Sequence, residues 1–298
     1  FLWLGNKFIS GRRSYATITG KGGRAKRFEL RAARYPLLAV AALICLLTTV
    51  VPVVILIASS MAPASSALFS NWTLHYWTGL SNPSIAQGQA GIWSNPFIVS
   101  ATGLTIGLGV AVAITTTIVG LIVAFVLARD GKGPLAGIIN QVSFLPLLVP
   151  GIAFGAAYIA LFGAPMGPLP ALYGTFPLLL LAGTAYLLPF SVQTGRAVIQ
   201  QVSGDLDESA RMTGAGFLRR LTSITVPLAS RGLAAGGLIV FVKIMRDLSL
   251  VVLLFTPTTP LLSVLAYRYA SEGFTQFANA ITVVILVISI AATLLANR

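Results

Sequence analysis

The sequence predicts an all-α protein that crosses a membrane about six times, and three observations predict it. Of 298 residues, 56% are hydrophobic and only 9% are charged, against about 25% charged in an ordinary soluble domain; mean hydropathy is +0.88. The apolar residues gather into runs that reach the roughly 20 helical residues needed to span hydrocarbon. The basic residues then sort to one side of those runs, the asymmetry that fixes membrane topology.

The candidate spans are 36–59, 97–128, 135–162, 175–195, 232–255 and 277–296. The second is too long for one perpendicular helix, so it must tilt or extend beyond the bilayer. Nine basic residues precede the first span (Lys7, Arg12, Arg13, Lys21, Arg24, Lys26, Arg27, Arg31, Arg34), and Arg129 and Lys132 follow the second. Five follow the fourth (Arg196, Arg211, Arg219, Arg220, Arg231) and Arg298 closes the chain, which puts seventeen of the 20 Lys and Arg on one side. The opposite loops, 60–96 and 163–174, hold no Lys, Arg, Asp or Glu. Both ends are therefore expected in the cytoplasm, with residues 1–35 as a basic tail or linker and 36–298 as the transmembrane domain.

A net charge of +13 invites a nucleic-acid reading, but such a binder needs a basic surface free of lipid-length apolar runs. The charge instead sets topology and meets anionic headgroups, so the partner is membrane lipid and no nucleic acid is expected. Cys45 is the only cysteine and His75 the only histidine, which excludes a disulfide and a multi-Cys metal site. A Ser/His/Asp set is equally excluded, so no catalytic residue and no metal site are expected. Thr19-Gly20-Lys21-Gly22-Gly23 lacks the spacing of a phosphate loop. Asn71-Trp72-Thr73 fits a glycosylation sequon but is read as chance. In the 60–96 loop, Trp72, Tyr76, Trp77 and Trp93 form either an interfacial belt or a contact for an extracytoplasmic partner. The chain begins at Phe1 rather than Met, and is expected to be a segment of something longer.

Three constellations stand out. Between the fourth and fifth spans, at about 199–227, lies a polar segment with Asp205, Asp207 and Glu208 near the start of a helix that runs to about residue 213. Carboxylates there complement the positive helix end. Gly214 permits a sharp turn, a second short helix over 217–224 carries Arg219 and Arg220, and Pro227 opens the next span. Inside the fifth span sits Lys243-Ile244-Met245-Arg246-Asp247-Leu248-Ser249. Charges at that depth are costly and face a cavity or one another, and Lys243 and Asp247, at i and i+4, are placed to pair on one helix face. In the third span, Pro146, Pro150 and Gly151 predict a break in the hydrogen-bond ladder, either a kink beside a pathway or a simple packing kink. On the outer side Arg268 and Glu272 are again i, i+4, either a solvated pair or a contact for a binding protein.

The first constellation resembles the "EAA" loop of permease subunits of bacterial ABC importers, roughly E-A-A-x-x-x-G-A, nine residues, then I-x-L-P. Glu208, Ala210, Gly214, Ala215, Ile224 and Pro227 match at that spacing, and Ser209 and Val226 depart from it. The resemblance implies a type I importer transmembrane domain in which Asp207, Glu208, Ala210, Arg211, Gly214, Ala215, Ile224 and Pro227 couple to a cytoplasmic ATPase. It implies two such ATPases carrying ATP and Mg, with no cofactor in this chain, a second homologous half that is fused or separate, and an extracytoplasmic binding protein. ATP hydrolysis is expected in the separate partner and the chain in the bacterial inner membrane.

Tyr15-Ala16-Thr17-Ile18-Thr19-Gly20-Lys21-Gly22 and Arg246-Asp247-Leu248-Ser249 resemble the linker and the R-[DE]-L-S segment of fused ferric-iron permeases, so ferric iron is the expected substrate. That branch also holds carriers of phosphorylated sugars, phosphonates and polyamines. Lys243, Arg246, Asp247, Ser249, Pro146, Pro150 and Gly151 are the expected pathway or gate. A secondary transporter or channel would instead show inverted repeats and a midplane ion site; no repeat is visible, and the Glu208 segment would go unexplained.

Overall fold

A computed structural model describes residues 33–63, 72–83, 86–129, 133–165, 167–168, 170–202 and 204–296. The expected linker motif at 15–22, most of the basic tail, Asn71, Lys132 and Arg298 lie outside the described residues, as does the side chain of Arg129. Every element longer than a single bridge is helical among those residues, as the composition predicts.

The chain divides into two units. In the first, residues 1–52, the described part is helix α1 (Arg34–Cys45) and a π-helical turn (Leu46–Val50), none of it buried. The second, residues 53–298, holds the rest of α2 (Val51–Met61), the short helix α3 (His75–Thr78), α4 (Pro96–Arg129) and the broken pair α5 (Pro134–Phe144) and α6 (Gly151–Phe162). It continues with α7 (Phe176–Gln201), α8 (Gly204–Met212), α9 (Phe217–Arg220), α10 (Val226–Arg246), α11 (Val251–Leu254), α12 (Leu262–Ser271) and α13 (Thr275–Ala296). Five helical stretches are long and apolar enough to cross a membrane (Arg34–Met61, Pro96–Ala128, Phe176–Gln201, Phe217–Met245, Thr275–Ala296), and a sixth if the broken pair counts as one.

Sequence and structure differ at two spans, the third and the fifth. The third bends by 109° between Leu148 and Gly151, far more than a kink, because Pro146 and Pro150 remove two backbone donors within five residues and the chain runs through a 3-10 turn (Leu145–Leu148) between them. The fifth ends at Arg246 instead of reaching 255, and Asp247 takes an extended ψ of 129°. Its start also differs: α9 passes through a π-helical turn (Leu221–Thr225) straight into α10, so 217–245 is one rod. Both described π turns end two residues before a proline, Pro52 and Pro227. The wider turn gives the ring room against the carbonyl four residues back, where a regular helix would clash.

The core of the second unit is α4 against α7. Gly120 and Ala124 on α4 meet Ser191 and Gly195 on α7, a small residue every fourth position on both sides; such faces let backbones approach closely in lipid. A methyl group on Gly120 would lie 2.5 Å from Ser191 Cβ and 3.0 Å from its carbonyl carbon, and one on Gly195 2.9 Å from Ala124 Cβ. The Thr115 and Thr184 hydroxyls join across the same interface at 2.8 Å. On the other side of α7, Gly232 and Gly236 of α10 receive Val198 and Thr194. Elsewhere in the unit Phe277 of α13 stacks on Tyr269 (5.6 Å between centroids) and meets Tyr76 of α3 edge-to-face (5.1 Å). Gly120→Ile is expected to force α4 and α7 apart at a cost of about 1–3 kcal/mol, read as a lower unfolding temperature of the purified protein. Gly103→Ala, with open space around the added carbon, is the control that should change little.

Candidate functional site

Two sites emerge, one on an exposed loop and one inside the bundle. The loop leaves α7 at the basic end. Helix α8 begins with Asp205 and Asp207 in its first turn and ends with Arg211 in its last, both favourable to the helix dipole. It stops at Gly214, whose φ is +80°. The Ala215 amide donates to the Ala210 carbonyl and the Gly214 amide to the Arg211 carbonyl, each at 2.9 Å, the paired hydrogen bonds of a glycine-terminated helix. A β-carbon at Gly214 would meet nothing within 4 Å, so the glycine is required by backbone geometry alone.

The two arms of the loop are then locked together. Asp207 and Arg220, thirteen residues apart in sequence, form a buried ion pair at 2.7 Å with side chains 9% and 10% exposed. The Arg220 guanidinium lies 5.7 Å from the ring centre of Phe125 on α4, and Phe125 meets the ring of Phe217 edge-on at 5.2 Å. Of the expected coupling residues, Asp207 therefore faces inward. Glu208, Arg211, Gly214 and Pro227 are exposed, while Ala210, Ala215 and Ile224 are half-buried. Ala210, Gly214, Ala215 and Ile224 line one cleft of about 420 Å³. Met212 and Leu218 stand 86% and 71% exposed on the same loop. Sequence reading passed over both, although an apolar Met212 four residues after Glu208 on a polar helix was the available signal.

The inner site forms where the two chain breaks meet. A cavity of about 370 Å³ is lined by Pro146, Tyr186, Phe190, Lys243, Arg246, Asp247 and Ser249, among others. Gly151 seats the top of α6 against the same segment: a β-carbon there would fall 2.9 Å from Ser249 Cβ, 3.0 Å from the Tyr186 hydroxyl and 3.1 Å from the Leu250 amide nitrogen. Pro150 caps the start of α6 with an extended ψ of 137°. The structure thus brings the proline segment and the charged segment together.

The expected pairing of Lys243 with Asp247 does not form as a close ion pair. Because α10 ends at Arg246, Asp247 has left the helix face, and its Oδ1 accepts the Leu250 amide at 2.8 Å. Its own carbonyl accepts the Ser263 hydroxyl at 2.8 Å. The Lys243 ammonium instead sits 4.1 Å from the ring centre of Phe190, a cation–π contact. Arg268 and Glu272 do approach, at 3.9 Å, but both are more than half exposed, where such a pair contributes little. Among the described residues no group of three or more His, Cys, Asp or Glu is arranged to hold a metal.

A helical membrane domain that displays a short, internally locked polar loop at its basic end and carries a partly open, charged cavity has the build of a transporter subunit. Residues 116–298 match the family described as binding-protein-dependent transport system inner membrane component, so this chain belongs to that family of ABC importer permeases. It is 25% identical to the ferric transport system permease protein FbpB of Actinobacillus pleuropneumoniae over 99% of this chain and 40% of that protein. It is 26% identical to the spermidine/putrescine transport system permease protein PotC of Escherichia coli over 80% of this chain and 84% of that one. It spans about two fifths of the length of the ferric relatives it matches. Among solved structures, a bacterial alginate ABC transporter in complex with a pentasaccharide-bound periplasmic protein superposes with a TM-score of 0.64 at 16% identity, covering 89% of this chain and 92% of that one. At that identity the likeness supports the fold, a type I importer permease.

Proposed function

We propose that this chain is one transmembrane half of an ATP-driven importer that moves ferric iron from an extracytoplasmic binding protein into the cytoplasm. Residues 36–298 form the transmembrane domain, residues 1–35 are a cytoplasmic tail or linker from a preceding half, and both ends face the cytoplasm. The observation that carries the importer reading is the loop at 204–227. Its motif residues sit on a rigid, outward-facing knob, with Glu208 exposed and the two arms locked by Asp207 and Arg220. Of the importer's two separate ATPase subunits, which hold ATP and Mg and hydrolyse the nucleotide, one docks there and the other on a second homologous half. Their movement rocks the knob and opens the pathway past Lys243, Arg246, Asp247 and Ser249, beside the break at Pro146, Pro150 and Gly151.

Ferric iron is supported by the likeness to FbpB over almost the whole chain. A polyamine is the second reading, favoured by the match to PotC over most of both chains; phosphorylated sugars and phosphonates remain further substrates of the same importer class. The coupling reading is tested by co-purification. Glu208→Ala and Gly214→Asp are each expected to release the ATPase or to uncouple hydrolysis from uptake, with the permease still inserted in the membrane. ATPase association and coupled uptake that survive both changes would show that this loop is not the coupling element.

A further inference from the structure

We propose that the cavity between the proline turn after α5, helix α7 and the end of α10 binds an oxyanion group, a phosphate or carboxylate, carried by the substrate. This deepens the importer reading and rests on it. Lys243 and Arg246 both line the cavity, and among the described residues Asp247 is the one carboxylate in that lining. Two unit positive charges against one negative charge leave the lining cationic. One oxygen of Asp247 is moreover already engaged: its Oδ1 accepts the Leu250 amide at 2.8 Å.

Neither Lys243 nor Arg246 forms an ion pair among the described residues. Lys243 rests on the Phe190 face at 4.1 Å, a weak cation–π contact. Charge-assisted hydrogen bonds to an oxyanion are stronger than such a contact, so a ligand can draw the ammonium away from the ring. Lys243 is half-buried and Arg246 exposed, both line the cavity as donors, and Tyr186 adds a neutral hydroxyl to the lining.

Ionisable side chains at membrane depth are costly and mark a ligand path more often than packing. A bare ferric ion meets repulsion in this lining. Iron passing here would travel with the anion that coordinates it, and a substrate bearing its own phosphate or carboxylate would use the same donors.

The test is equilibrium binding of radiolabelled inorganic phosphate and citrate to the full permease–ATPase complex in lipid nanodiscs, without binding protein. Saturable binding is expected, falling roughly tenfold or more in Lys243→Met and in Arg246→Met. Lys243→Arg, which keeps the charge, should retain most of it and so separates lost chemistry from lost folding. Absence of binding to the unaltered complex, or equal binding by a Lys243→Met/Arg246→Met double variant, would overturn the proposal.

Radio-iron uptake into proteoliposomes distinguishes the sources. Iron uptake that requires phosphate or citrate and drops in Lys243→Met assigns the site to the anion of a metal complex. Uptake of the anion without iron assigns it to a free or organic oxyanion. Iron uptake that is equal with and without either anion, and unchanged in Lys243→Met, would also overturn it. Should the unaltered permease fail to hold an ATPase at all, the importer reading falls while the binding result stands by itself.

Discussion

Asp207→Ala is expected to cost about 3–5 kcal/mol, the usual penalty for stripping one partner from a buried ion pair. The Arg220 guanidinium would remain, 8% exposed overall, beneath the Phe125 ring with no carboxylate to balance it. Its desolvation was offset by a 2.7 Å contact that water cannot replace at that depth. Arg220→Ala should cost a similar amount for the mirror-image reason. Replacing both together, Asp207→Leu with Arg220→Met, should recover most of the loss, since a well-packed apolar pair often matches a buried ionic one. Thermal unfolding of the purified protein with all three variants decides it. If the double variant is no more stable than the single ones, the pair is serving something other than local electrostatic balance.

Gly151→Leu should abolish transport without releasing the ATPase. Three groups surround the position at 2.9, 3.0 and 3.1 Å, and one of them is the backbone nitrogen of Leu250, which cannot rotate out of the way. A leucine must push α6 away from the segment after α10 or fill the cavity between them. Because α6 starts at this residue, either outcome displaces the cavity wall. Uptake by the reconstituted transporter is expected to fall by more than about tenfold, the cost of an overpacked core of roughly 1–3 kcal/mol applied at the pathway. Gly137→Leu, on the exposed side of α5 with nothing within 4 Å, is the matched control and should transport normally.

The long spans were legible because an apolar run of 20 or more residues has few other fates, and α4, α7 and α13 lie close to where the sequence puts them. The turn at Gly214 was legible for a local reason: one glycine and the spacing around it specify the helix end. What escaped was decided by partners distant in sequence. Nothing local to Asp207 names Arg220, thirteen residues on. The i, i+4 spacing of Lys243 and Asp247 promised a pair only while the helix continued, and it ends between them, where the Leu250 amide captures the carboxylate. Pro146, Pro150 and Gly151 announced a break, but its 109° angle depends on how closely Gly151 lets α6 seat against Ser249 and Leu250. Met212 and Leu218 were passed over because periodicity weighs apolar residues as core, and these two face outward.

The rod from Phe217 to Met245 has a mechanical consequence. Its 29 residues make a lever about 43 Å long, with Phe217 and Arg220 of the loop at one end and Lys243 at the other. A tilt of about 5° around its midpoint displaces each tip by roughly 2 Å at that length, comparable to the margin by which an ammonium gains or loses a hydrogen bond. The π turn at Leu221–Thr225 is the one joint in the lever, and its stiffness sets what fraction of a push at the loop arrives at the cavity.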